Sequence, residues 1–294
     1  MAIFWEGTPS EGFPLPVLWE GTPSEGFPLP FHDSVSRNVP LLEVRGLQRS
    51  FYGVRALDGV DLVVEPGTIT GLIGPNGAGK TTLFNCVSGL IPPQRGRIVF
   101  DGRDVTGWRA DRVTQAGLVR TFQIARGFPR LSVLENLLLY GARQPGERLG
   151  RALLRTPGAR RREDALRERA LAIARRLNLA RVVNDAAAEL SGGQKKLLEL
   201  GRALMTDPKL ILLDEPIAGV NPTLARDIAE HLQALRAEGL TFLIIEHHLD
   251  LIARLCRPVI VMAEGRHLAE GAFAEVAADA RVQEAYMGRR RWVS

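Results

Sequence analysis

No run in this sequence approaches the roughly 20 apolar residues that a membrane-spanning helix needs, and the amino terminus lacks a basic start followed by an apolar core. Both absences predict a soluble chain that is not secreted. Cysteine is nearly missing: Cys86 and Cys256 sit in apolar helical contexts without CxxC spacing, so they read as reduced core residues. Aromatic residues make up only 6% of the chain. None is interleaved with the arginines as a nucleic-acid platform would require, so nucleic acid is not an expected partner.

What is present is a globular composition, 294 residues that are 45% hydrophobic and include 30 glycines, enough for one large or two modest domains with a core. The net charge of +5 is regional. Residues 142–182 hold twelve arginines against Glu147, Glu163, Asp164 and Glu168, whereas the first 38 residues are net negative. Such a basic stretch reads as a solvated helix face or as a surface suited to an anionic phospholipid leaflet.

Residues 5–16, WEGTPSEGFPLP, recur letter for letter at 19–30, and six of the 18 prolines fall in the first 30 positions. The unit is too short and too Pro-rich to stack as a solenoid, so 1–38 is expected to be a disordered tail without an assigned function. Duplicated DNA ahead of a true start would leave the same pattern. A folded unit is expected over 39–288, then a short tail at 289–294. LLEVRGL, VDLVVE, TITGLIG and GRIVF read as short strands, with a helix after Gly79 to about Ser88. Helical periodicity dominates from Val133 to about Leu190, where Leu166, Ala170, Ile173 and Leu177 form one apolar core stripe. Strands return at KLILLD, TFLIIE and PVIVMA, and one hairpin and two short helices close the chain. The class is α/β with a helical insertion at about 124–206.

The strongest chemical signal is GPNGAGKT, which fits GxxxxGK[ST] between a predicted strand and a predicted helix. Gly74, Pro75, Asn76, Gly77, Ala78 and Gly79 would curl so that backbone N–H groups face phosphate oxygens at a positive helix end. Lys80 would reach the β and γ phosphates, Thr81 would offer its hydroxyl to Mg2+, and Thr82 is counted with the nucleotide contacts. In LILLDEP, four aliphatic residues predict a central parallel strand that delivers Asp214 to the Mg2+ shell. Glu215, one residue on, is placed to polarise an attacking water as general base. TFLIIEHH leaves His247, favoured over His248, where a side chain could meet the γ-phosphate. Gln123 could bind Mg2+ or water through its amide. Phe51 could stack on adenine, with Tyr52 as its rival.

A second glycine turn stands at Ser191, Gly192, Gly193 and Gln194, where one nucleotide site should need only one cradle. The phosphate loop, Gln123, LSGGQ, LILLDEP and His247, in this order and spacing, resemble the ATP-binding subunit of an ABC transporter over about residues 41–288. The resemblance implies a P-loop NTPase core with an antiparallel β subdomain and a helical signature subdomain, binding ATP and Mg2+. In that family the signature turn closes over the γ-phosphate held by the other subunit of a head-to-tail dimer, so the two cradles belong to two sites.

RTFQIARGFPRLSVLENLLL, AGVNP, IEHHLDLI and EAYMG are similar to the ATPase subunits of branched-chain (hydrophobic) amino-acid importers. That likeness implies separate permease subunits in the membrane, a second ATPase subunit, a periplasmic or lipid-anchored binding protein, and a peripheral place on the cytoplasmic face of the plasma membrane. Related subunits serve urea, amides or lipopolysaccharide. The stretch from Gln123 to Glu135 is expected to dock a permease helix through Phe128, Leu131, Val133 and Leu134. Two departures, QKK after the signature and no Asp in AGVN, bear on communication between sites and leave the acids intact. A small-molecule kinase has no use for the signature, and a DNA-repair ATPase needs a long coiled coil that the span from Lys80 to Ser191 cannot hold. Translation-type relatives carry two phosphate loops, and this chain has one.

Overall fold

Leu210–Asp214, Thr241–Ile245 and Ile69–Ile73 are three strands in which every residue is buried. Such near-continuous aliphatic runs suit parallel strands covered on both faces. The structure, a computed structural model, describes residues 39–121, 128–141 and 157–287. The duplicated amino-terminal segment, Gln123 and the arginines of 142–156 lie outside the described residues.

Among the described residues, ten strands form two sheets. The first is antiparallel, in the order β2 (Val54–Val64), β1 (Leu42–Phe51), β4 (Arg95–Phe100), β5 (Arg103–Asp104). The second runs β10 (Arg266–Gly271), β9 (Val259–Ala263), β3 (Ile69–Ile73), β8 (Thr241–Ile245), β7 (Leu210–Asp214), β6 (Leu118–Arg120), with β10 alone antiparallel to its neighbour. Alternation along the central strands divides the core in two. Leu210, Leu212, Leu243 and Ile245 face the antiparallel sheet and helix α1 (Lys80–Val87), while Ile211, Leu213, Phe242 and Ile244 face the helical side. Each such side chain contributes about 1.5–3 kcal/mol on burial, so two-sided burial makes these strands the rigid frame from which the site projects.

Helix α2 (Ala110–Gln115) packs Val113 into the antiparallel-sheet half of the core, and the helical side comprises α3 (Val133–Leu139), α4 (Pro157–Arg176), α5 (Gly192–Leu204), α6 (Pro222–Ala237), α7 (Leu249–Leu255), α8 (Phe273–Ala278) and α9 (Ala280–Met287). Ala170, Ile173 and Leu177 are fully buried and Leu166 packs against them, as the stripe predicts. Helical order is shorter than the periodicity suggests. It stops at Arg176, because Asn178 takes a left-handed φ of 56°, and only one 3-10 turn, Ala180–Val182, follows before α5. Leu177 and Leu179 still fill the core, from a loop. Two expected docking contacts are corrected likewise: Val133 and Leu134 are core residues, leaving exposed Phe128 and half-buried Leu131 at that surface. No helix among the described residues is long and apolar enough to cross a membrane.

Candidate functional site

The phosphate loop leaves the buried end of β3 and enters α1 at Lys80. Gly79 has φ 97°, and a Cβ there would lie 2.4 Å from the Ala56 carbonyl oxygen, so the loop needs glycine on both conformational and steric grounds. Lys80 is 7% exposed and folds back over the loop, donating from Nζ to the carbonyls of Gly74 (2.6 Å) and Pro75 (3.0 Å). Burial lowers the pKa of its ammonium, and the charges of Glu215 and Asp214 oppose that shift. A cationic side chain curled into a glycine loop at a helix start suits a polyphosphate. The exposed Thr81 hydroxyl and the Asp214 carboxylate are hard oxygen donors of the kind Mg2+ takes.

Asp214 ends β7 and is 6% exposed. Its Oδ2 accepts from Arg120 Nη2 at 2.8 Å, at the end of the adjacent strand β6. Sequence reasoning missed Arg120, because only the parallel pairing of β6 with β7 brings the two ends together. Glu215 follows with φ 51°, a left-handed backbone that costs a non-glycine residue about 1–3 kcal/mol and clusters at functional sites. Its N–H donates to the Ile245 carbonyl at 2.9 Å. Its Oε1 lies 2.8 Å from His247 Nε2, so the expected base and the expected phosphate contact form a pair. His248 points elsewhere, with Nδ1 3.1 Å from Glu246 Oε2. Glu246, also unanticipated, is buried at 2% exposure.

The signature residues start α5. Ser191 Oγ accepts from the Gln194 N–H at 3.2 Å and Gln194 Oε1 accepts from the Ser191 N–H at 2.9 Å, a capping box that presents the turn as a rigid unit. Gly192 is exposed and Gly193 is buried against Leu224. From the same helix Lys196 Nζ donates to the Glu215 carbonyl at 3.5 Å, so one of the two lysines after the signature touches the segment that carries Glu215. Asn221 caps α6 through Oδ1 to the Leu224 N–H at 2.9 Å, supplying a cap at the turn that lacks Asp.

Phe51 and Tyr52, the two candidates for stacking on the base, stand at the tip of the β1–β2 hairpin. Phe51 is half-buried with the Arg49 guanidinium 4.9 Å from its ring centre, whereas Tyr52 is fully exposed. The phenol of Tyr286 in α9 is pushed up in pKa by burial, opposed by hydrogen bonding with the Gly74 backbone, which sets the closing helix against the phosphate loop. Both thiols are free and buried, as expected.

The chain matches the family model described as ABC transporter over residues 57–218 and that described as branched-chain amino acid ATP-binding cassette transporter over 266–291. A probable branched-chain amino acid transport ATP-binding protein LivG from Methanocaldococcus jannaschii is 42% identical over 252 residues, covering 84% of this chain and 97% of the relative. Its namesake from Archaeoglobus fulgidus is 40% identical, covering 84% and 95%. Among solved structures, a nucleotide-free ATP-binding cassette from an ABC transporter superposes with a TM-score of 0.74 at 40% identity, covering 85% of this chain and 100% of that one. The paired sheets, the phosphate loop beside Asp214 and Glu215, and these likenesses agree: the chain belongs to the ABC transporter family as an ATP-hydrolysing, ATP-binding subunit related to those of branched-chain amino-acid transporters.

Proposed function

We propose that this subunit powers import of branched-chain amino acids through separate permease subunits, at the cytoplasmic face of the plasma membrane. The match of residues 266–291 to the branched-chain family model carries the cargo assignment. A periplasmic or lipid-anchored binding protein would deliver the cargo. The partner ATPase, a second copy or a paralogue, binds head to tail and supplies Ser191, Gly192, Gly193 and Gln194 to the other chain's nucleotide. Phe128 and Leu131 are the apolar surface offered to a permease helix.

Within one site, the loop 74–79 holds phosphate oxygens through the backbone N–H groups of its residues other than Pro75, Lys80 balances their charge, and Phe51 stacks on the base. Thr81, Asp214 and Gln123 are the residues that would hold Mg2+, which when bound neutralises charge on the β and γ phosphates. Glu215 takes a proton from the attacking water as its oxygen approaches the γ-phosphorus. His247, bonded to Glu215, keeps that carboxylate oriented and contacts the γ-phosphate. Reconstitution with the neighbouring permeases and binding protein in vesicles tests the reading. ATP-dependent uptake of leucine, isoleucine and valine is the expected result, and uptake of urea or amides instead would overturn the cargo.

A further inference from the structure

The left-handed backbone of Glu215 persists only if its surroundings hold it, and β7 ends one residue earlier. Support reaches it from the neighbouring strand end. Glu246, the first residue after β8, places Oε1 3.1 Å from the Ile217 N–H, two residues beyond Glu215. Its Oε2 accepts from the His247 N–H at 3.0 Å and from the His248 N–H at 3.4 Å. The same carboxylate thus receives backbone N–H groups from the segment that carries the base and from the segment that carries its histidine partner.

We propose that Glu246 is a positioning residue for ATP hydrolysis, its two oxygens clamping the Glu215 segment to the His247 segment and thereby setting the 2.8 Å contact between those side chains. A buried carboxylate is costly unless its lone pairs are used, and here they are used on both sides. Only a carboxylate meets the geometry. A glutamine of the same shape keeps one acceptor oxygen and turns an NH2 group toward the other N–H, leaving donor against donor. The segment that loses its acceptor relaxes, and Glu215 leaves its strained position. The phosphate loop, which supplies most of the proposed nucleotide contacts, follows a different strand, so ATP affinity is expected to change little.

The inference rests on the assignment of Glu215 as base and His247 as its partner. ATP turnover and ATP affinity are therefore measured for the parent, Glu246→Gln and Glu215→Gln, each checked for folding by its thermal midpoint. Glu246→Gln is expected to lower kcat about tenfold or more with ATP affinity within about twofold of the parent, because one buried donor loses its partner. A smaller loss, or a loss of affinity in step with kcat, overturns the clamp while an inactive Glu215→Gln keeps the base assignment. An active Glu215→Gln overturns that assignment instead. If Glu246→Gln does not fold, Glu246→Asp, whose carboxylate is withdrawn by one methylene and cannot span both segments, is read by the same criteria.

Discussion

Arg120 joins Asp214 to Asn85: its Nη2 donates to Asp214 Oδ2 at 2.8 Å and its Nη1 to Asn85 Oδ1 at 2.5 Å, with the Phe84 ring 5.6 Å from the guanidinium. The ion pair is nearly dry, with side chains 10% and 6% exposed. It ties the last residue of β7 to the helix that begins at the phosphate loop, so the acid is oriented before any ligand arrives.

Removing one partner of a buried pair strands the other charge. Arg120→Ala should therefore destabilise the folded chain by about 3–5 kcal/mol. In a double-mutant cycle with Asp214→Ala, measured by denaturant unfolding, the double variant should cost clearly less than the sum of the singles. Additive losses would mean that the pair does not act as a unit.

Glu215→Gln keeps the shape of the proposed base and removes its proton affinity. Turnover should fall by about 100-fold or more while ATP binding persists, and a closed dimer should accumulate. Steady-state hydrolysis and size-exclusion chromatography with ATP read these outcomes. Near-parental turnover would end the general-base assignment.

The contact between the signature turn and α6 has its own test. A Cβ on Gly193 would lie 1.9 Å from Leu224 Cδ2, and all three of the nearest atoms belong to that side chain. Gly193→Ala should cost about 1–3 kcal/mol by overpacking, and adding Leu224→Ala should recover part of the loss in the same unfolding assay. No recovery would place the strain in the backbone.

Burial pushes the Cys86 thiol up to about 11 and the Cys256 thiol up to about 12. At pH 8 both stay protonated in the folded chain, so iodoacetamide should label them only after denaturation. Between pH 9 and about 11–12 the unfolded chain releases thiol protons that the folded chain retains, so these groups make stability fall with rising pH in that window and leave it unchanged below. Rapid labelling of the folded protein at pH 8 would contradict the burial of these side chains.

Much of this site was legible as local pattern. The aliphatic runs of β3, β7 and β8, the phosphate loop, and the acids at 214 and 215 are contiguous, and the chemistry each requires is written in adjacent letters. The rest depends on which strand ends lie side by side. Arg120 meets Asp214 because β6 pairs with β7, and Glu246 meets Ile217 because β8 pairs with β7. Neither pairing can be read from spacing. Periodicity also fails to say which apolar residues are covered: Val133 and Leu134 fit a docking surface on paper but fill the core, and Leu177, the last member of the predicted stripe, fills it from just beyond the helix end. Gln123 lies outside the described residues, so its proposed metal contact rests on the sequence.

The two glycine cradles make the sharpest prediction, because a head-to-tail pair builds each site from the phosphate loop of one chain and the signature of the other. Lys80→Ala disables the first half and Ser191→Arg the second, so each variant alone should be inactive. A mixed pair places both lesions in one composite site and leaves the other intact. With random exchange and independent sites, half the pairs are mixed and each keeps one of two sites, so activity should recover to roughly a quarter of the parent's. Coupling between sites lowers that figure, as does an obligate second ATPase, so hydrolysis is measured in the complete transporter as well as in the mixed subunits. Absence of recovery at every mixing ratio, with folding and exchange confirmed, would mean that Ser191 serves the nucleotide of its own chain.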